Sequence, residues 1–381
     1  MNNKQKYGEV FTPQSLVLEM YELLYPLIKN KATIDLYEPG VGKGIFYNNY
    51  DKTLLKKTTY YGCEINKEYT VPCSTIIHGD FFDLSLNQYD VILGNLPFNN
   101  NGFINVPCSK NKIRGRTIWT IMLKKCVEHL KKDGFMAVII PCIWLKPDKE
   151  HIYETITNYK IHYLKIYSSS ESNKLFKYEC QTPICYVIFQ KSPSIHKFKL
   201  YDNNKFIDFE LYSQLCIPTK NARLLYKSIL FMKQRPHIKN MNVIKIACMR
   251  QNIIESENKN DPYVLTSSIL ENNKLKVKGF NSKVPGDYYN CEKIILSHKR
   301  LPIPIYDKDG LYSIYGRDKY IFVGENLELL YTFLSLPIIQ TLILSFIIRM
   351  NFYEKYIFDY IPDPRTFMNN DYKDYLYLLE N

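Results

Sequence analysis

The sequence contains no Cys-x-x-Cys, although it has ten cysteines, at positions 63, 73, 108, 126, 142, 180, 185, 216, 248 and 291. The closest pair that could serve as ligands, Cys180 and Cys185, has no histidine nearby. Neither a zinc pattern nor a disulfide framework is present, and no metal site is expected. The start, Met-Asn-Asn-Lys-Gln-Lys, lacks an apolar signal core. That points to a reducing, cytoplasmic compartment, either bacterial or, for a viral protein, that of the host. Long hydrophobic runs are missing too. The most apolar stretch, Phe333–Ile348, contains Pro337 and Gln340 and falls short of the roughly 20 residues that a membrane span needs. It reads as a buried helix, and no membrane partner is expected. There is no internal repeat, no low-complexity tract and no nuclease motif.

The 381 residues suggest two domains at about 150 residues each. Hydrophobic residues make up 46% and charged residues 23%, which is ordinary globular composition. Lys and Arg number 50 against 38 Asp and Glu, a net charge of +12. Such an excess favours a polyanionic partner, nucleic acid before an anionic membrane. The 33 Tyr and 20 Phe suit stacking on bases but fill cores equally well. An AT-rich genome, favouring codons for Lys, Asn, Ile and Tyr, accounts for that bias without any function.

Apolar strand-like runs alternate with helical patterns over the first 190 or so residues. Strands are predicted at Thr33–Glu38, Tyr60–Ile65, Thr75–His78, Tyr89–Gly94, Phe135–Pro141, Ile161–Tyr167 and Pro183–Gln190. Helices are predicted at Pro13–Leu24 and Thr117–Lys132, the first with Thr12 as N-cap and Pro13 at its first position. This alternation implies a mostly parallel sheet covered on both faces. Ser192-Pro193-Ser194 reads as a linker, dividing the chain into domains 1–192 and 193–381, the second read as a separate basic module.

Four strand ends carry polar or glycine-rich motifs. Asp35-Leu36-Tyr37-Glu38-Pro39-Gly40-Val41-Gly42-Lys43-Gly44 is a strand running into a glycine-rich turn, where backbone can approach a ligand closely. The spacing fits neither the dinucleotide fingerprint nor a phosphate-binding loop. It suits a turn holding the amino-acid part of S-adenosylmethionine, with Glu38 meeting the ammonium. Glu64, ending the second strand, can accept from ribose hydroxyls or be a solvated strand end. After the third strand, Asp80 can accept from an adenine amino group and Phe81 can stack on the ring; a plain surface turn is the alternative. The fourth strand ends in Asn95-Leu96-Pro97-Phe98. An exocyclic amine is a poor nucleophile because its lone pair is delocalised into the ring. The Asn95 side-chain oxygen and the carbonyl of residue 96 can each accept one N–H and localise that pair, while Phe98 can stack on a flipped-out base.

In this order and spacing the motifs resemble the gamma-class, TaqI-like methyltransferases that modify adenine N6 in DNA with S-adenosylmethionine. Val10-Phe11-Thr12-Pro13, Glu38-Pro39-Gly40, Glu64-Ile65, Asp80-Phe81 and Asn95-Leu96-Pro97-Phe98 match the family motifs over about residues 4–190. The resemblance implies a Rossmann-like methyltransferase domain with a seven-stranded, mostly parallel α/β sheet, followed by a mixed α+β target-recognition domain. It implies cofactor contacts from Thr12, Glu38, Pro39, Gly40, Gly42, Glu64, Ile65, Asp80, Phe81 and Asn95. Catalysis is assigned to Asn95, Leu96, Pro97 and Phe98, and Phe176 becomes the second wall of the base pocket, with a core phenylalanine as the alternative. Double-stranded DNA is the expected partner and a monomer the expected state. Cutting, in a restriction-modification pair, falls to a separate endonuclease.

Phosphate contacts are expected from Lys110, Lys112, Arg114 and Arg116, in a loop after the catalytic motif. Between Val91 and Val127 there is no acidic residue, and Lys124 and Lys125 complete six bases. Lys299, Arg300 and Arg317 are the DNA candidates of the second domain. The departure from the family is Leu96, where the family has proline: one φ is no longer locked and one N–H must find a partner. The alternatives are an RNA or protein-glutamine methyltransferase with the same motif, and a catalytically weakened DNA-binding relative.

Overall fold

A computed structural model describes residues 10–381 except 70, 73–74, 86, 99–116, 212–215, 247–252, 272–273, 298–301, 315–318 and 349–351. The chain divides into two compact units, Met1–Ile217 with Ile348–Met350, and Pro218–Ile347 with Asn351–Asn381.

The first unit is built on β1 (Ile34–Pro39), β2 (Thr58–Glu64), β3 (Thr75–His78), β4 (Tyr89–Asn95), β5 (Leu130–Pro141), β6 (Tyr159–Tyr167), β7 (Ile184–Pro193), β8 (Lys197–Asp202) and β9 (Lys205–Glu210). Their order in the sheet is β3-β2-β1-β4-β5-β7-β6-β8-β9. β1 to β5 run parallel, and β7 is antiparallel to both its neighbours. β1 and β4 are buried almost throughout, as strands covered on both faces must be. All seven expected strands are present.

Two further strands change the domain boundary. Asn203 and Asn204 both take positive φ, as a two-residue hairpin turn requires, and join β8 to β9. β8 pairs in parallel with β6. The Ser-Pro-Ser segment is therefore a turn inside the first unit, with the Ser194 hydroxyl accepting the His196 N–H, and the boundary falls at 217/218 instead of 192/193. The dense Lys and Asn of this stretch are the polar face and turn of a hairpin. The expected helix at Thr117–Lys132 ends earlier, at Glu128. Lys131 belongs to β5 and pairs with Asp35 and Asp90.

Helix Gln14–Ile28 buries Leu16, Val17, Met20, Tyr21, Leu24 and Ile28, an apolar stripe at helical spacing. These join Leu36, Val91, Leu93 and Ile139 in one core. Sequence-adjacent connections run outward in opposite directions from β1 and β4. In such a sheet the crevice opens at the carboxyl ends of the two strands where the order reverses. Here those ends are Pro39 and Asn95.

The second unit is mixed α+β, as expected. β10 (Ile244–Lys245), β17 (Lys319–Phe322), β14 (Lys293–Ser297) and β15 (Pro304–Asp307) form one sheet. β11 (Glu255–Ser256), β13 (Lys274–Ser282), β12 (Tyr263–Glu271) and β16 (Tyr312–Ile314) form another. The single helix expected over Phe333–Ile348 is instead part of two, Leu327–Ser335 and Pro337–Ile343, because Pro337 cannot continue the preceding helix. Among the described residues no helix is long and apolar enough to cross a membrane.

Among the ion pairs of the second unit is one that is fully buried. Lys293 and Asp307 face each other across β14 and β15 with both side chains buried. Asp307 also accepts the N–H groups of Leu311 and Tyr312. Lys293→Met leaves that carboxylate buried without its cation, which costs about 3–5 kcal/mol. Urea unfolding of the full chain should show the loss in the transition of this unit.

Candidate active site

The glycine-rich turn leaves β1 and doubles back onto β2. The N–H groups of Gly40 and Val41 both donate to the Cys63 carbonyl, each at 3.0 Å. Gly40 has φ +96° and Gly42 φ +53°, a region in which side chains are strained and glycine is not. The Gly42 N–H donates to Glu64 Oε2 at 2.6 Å, and the Asn66 N–H to Oε1 at 2.8 Å. Glu64, expected as a ribose acceptor, thus also has a structural role, because it ties the turn to the end of β2. Each oxygen keeps a further lone pair.

Glu38 is 1% exposed, and Tyr60 Oη donates to its Oε2. Burial pushes the Glu38 carboxyl well above the usual carboxylate range; the Tyr60 hydrogen bond opposes this, and the charge of Glu64 adds to it. Opposite stands Gly94, where a Cβ would come 3.7 Å from Glu38 Cγ and 3.6 Å from Pro39 Cδ. A Cβ on Gly40 would lie 3.8 Å from the Pro97 ring. The structure therefore brings two of the motifs into contact, the glycine turn and the end of β4.

At the β3 end, exposed Asp80 accepts the Phe82 N–H at 3.0 Å. Phe81, expected to stack on a ligand ring, is 6% exposed and packs against Tyr37 and Phe82. Its ring belongs to the core, while Phe82 and, after β2, Ile65 are exposed, Ile65 at 47%. Lys125, grouped from sequence with the loop bases, donates to the carbonyls of Phe81, Phe82 and Leu84 at 2.9, 3.3 and 2.8 Å. It clamps this turn.

The end of β4 holds the decisive atoms. Asn95 Nδ2 donates to Thr12 Oγ1 at 3.1 Å. Asn95 Oδ1 is buried and has no partner among the described residues. Thr12 is not the N-cap that the sequence suggested. Pro13 holds that position with no side-chain cap bond, and the threonine hydroxyl meets Asn95 instead. Leu96 is buried, and its N–H donates to the Ile139 carbonyl at 3.3 Å. The N–H that a proline would lack has found its partner on β5. Phe98 is half-buried against the main core, and its carbonyl accepts from Ile118. Phe176 is 4% exposed and lies in that same core.

Lys110, Lys112, Arg114, Arg116, Lys299, Arg300 and Arg317 lie outside the described residues. Among the described residues no three His, Cys, Asp or Glu side chains gather as metal ligands would.

No family model matches the chain. It is similar to the modification methylase CviBIII of Paramecium bursaria Chlorella virus NC1A, with 26% identity over 212 residues, 52% of this chain and 54% of that protein. The matched stretch is thus about half the length of the relative. Among solved structures, the methyltransferase subunit of a type I restriction-modification system from Streptococcus thermophilus overlaps 54% of this chain and 51% of its own, at 19% identity and a TM-score of 0.39. The M protein of the type I restriction enzyme EcoKI overlaps 50% and 48%, at 13% identity and a TM-score of 0.36.

Leu96→Pro would install the residue of the resembled family, yet it should harm this protein. It deletes the donor to Ile139, strands a buried carbonyl and removes a buried leucine. An unsatisfied buried acceptor costs about 1–3 kcal/mol, more than the about 0.4–1 kcal/mol that a compatible proline returns. The variant should melt earlier than the parent in a thermal denaturation scan.

Proposed function

We propose that the first unit transfers a methyl group from S-adenosylmethionine to an exocyclic amine, adenine N6 in duplex DNA. The observation that carries this reading is Asn95 Oδ1. A buried acceptor without a partner is costly, and here it stands at the switch point of the sheet beside the glycine turn. An N–H of an incoming amine supplies the missing partner.

The residues present suit the cofactor. Among the described residues nothing lies within 4 Å of a Cβ built on Gly42, so they leave open space beside the turn's backbone. Glu38 offers a buried carboxyl to an ammonium, the free lone pairs of Glu64 can accept from ribose hydroxyls, and exposed Ile65 and Phe82 offer apolar surface to a purine. The bound cofactor supplies an electrophilic methyl group. The chain's own work is on the nucleophile. Asn95 Oδ1 accepts one N–H of the target amine and the Leu96 carbonyl accepts the other, which draws the lone pair out of the ring toward the methyl group. Phe98 gives the extruded base a ring to stack on; a wall made by Phe176 requires that ring to leave the core. The satisfied N–H of Leu96 supports an active site over a merely binding one.

DNA as substrate is supported by the charge of +12 and by the similarity to a modification methylase. Duplex recognition by the second unit, and a separate endonuclease as biological partner, belong to the same reading. Asn95→Ala tests it. Methyl transfer to an adenine-containing duplex library, read by long-read sequencing, should be lost in the variant while DNA affinity stays nearly intact. Equal turnover in both proteins would sink the mechanism.

Glu38 adds a pH dependence. Burial holds its carboxyl protonated above the usual range, whereas a bound ammonium favours the carboxylate. Cofactor binding therefore releases a proton, and affinity should rise with pH, by up to about tenfold per unit, across the range where Glu38 ionises. Calorimetric titrations from acid to neutral pH should show this slope, and Glu38→Gln should flatten it.

A further inference from the structure

We infer that Thr12 is a positioning residue for Asn95, and that helix Gln14–Ile28 is the fixed arm that carries its hydroxyl to the site. The inference rests on the methyl-transfer reading above. A primary amide is nearly symmetric in shape and opposite in chemistry at its two ends. Only the oxygen can accept an N–H of the target amine; a half-turn of the side chain would set two N–H donors against it. Thr12 Oγ1, 3.1 Å from Asn95 Nδ2, accepts from the nitrogen and anchors the amide in place, with Oδ1 as the end that has no partner among the described residues.

The hydroxyl is held from both flanks of its helix. On one flank, Glu19 Oε1 accepts from Lys165 Nζ at 2.6 Å and from Tyr186 Oη at 2.8 Å, and Oε2 accepts from Tyr167 Oη at 3.1 Å. Those three residues stand on β6 and β7. On the other flank, Tyr21 Oη donates to the Phe46 carbonyl at 2.7 Å, and the Asp51 N–H donates to Tyr25 Oη at 2.8 Å. The helix is thus bonded to the far strands of the sheet and to the segment after the glycine turn. Thr12 stands one residue before the helix N-cap, Pro13. Its hydroxyl serves Asn95, 83 positions away in sequence. This assigns it a role distinct from a cofactor contact.

Thr12→Val removes the acceptor at nearly constant shape, and Thr12→Ser keeps it. In the full chain, with S-adenosylmethionine and an adenine-containing duplex, Thr12→Val should lower kcat by about tenfold or more, the scale of a misplaced catalytic group. KM for the cofactor should stay within about twofold, and Thr12→Ser should restore most of kcat. An unchanged kcat in Thr12→Val, a loss confined to KM for the cofactor, or a serine variant no better than the valine one overturns the inference. Wild-type turnover above an Asn95→Ala blank decides the methyl-transfer reading by itself. A second measurement decides the positioning role even where that reading fails. In protein labelled at asparagine nitrogen, the side-chain amide signal that disappears in Asn95→Ala should exchange its protons slowly in wild type and Thr12→Ser and fast in Thr12→Val. Equal exchange in all three overturns the inference.

Discussion

The bond between the Gly42 N–H and Glu64 Oε2, at 2.6 Å, fixes where the rest of the site stands. The glycines of the turn contribute no side chain, and only Val41 packs into the core. The turn is tied to the end of β2 by this carboxylate and to the Cys63 carbonyl by two further N–H groups. Gly40 then comes within van der Waals reach of the Pro97 ring, and the end of β4 acquires a defined neighbour. The crevice at the switch point is a consequence of sheet topology, but its shape on the β1 side is a consequence of Glu64.

The two buried glutamates of this crevice illustrate how one residue type does two jobs. Glu64 is surrounded by backbone N–H donors and acts as a staple. Glu38 is wholly buried with a hydroxyl donor from Tyr60, and burial favours its protonated form. A group in that state waits for a cation. The difference lies in the local supply of donors, which depends on how the turn folds and so cannot be read from two acidic residues at two strand ends.

The seven strands of the first unit were legible because parallel strands are written as short apolar runs such as Val91-Ile92-Leu93. The four strand-end motifs were legible because glycine, proline and amide chemistry constrain backbone and hydrogen bonding locally. What escaped depended on partners distant in sequence. Thr12 reads as a helix cap until Asn95 is beside it. Lys125 reads only as one more base of an acid-free stretch until three carbonyls of the 81–84 turn converge on it. Phe81 and Phe82 differ by one position, and only the packing of Tyr37 says which ring is in the core. The boundary at 192/193 failed because polar composition was taken as a change of module, when β8 and β9 are an amphipathic hairpin on the edge of the same sheet.

Leu96 shows that a motif is a set of physical requirements before it is a string of letters. Proline at this position would lock φ and carry no N–H. Leucine has an N–H, and the chain places the Ile139 carbonyl to receive it, in line with the parallel pairing of Asn95 and Ile139 on β4 and β5. The hydrogen bond extends the ladder by one residue and restrains the backbone that the ring would have restrained. The leucine side chain, almost wholly buried, adds apolar area that proline would not fill. Both solutions retain a carbonyl at residue 96, the second acceptor that the proposed chemistry needs. A departure from a family pattern therefore weakens a functional reading only when the requirement behind the letter is also lost, and at Leu96 it is retained.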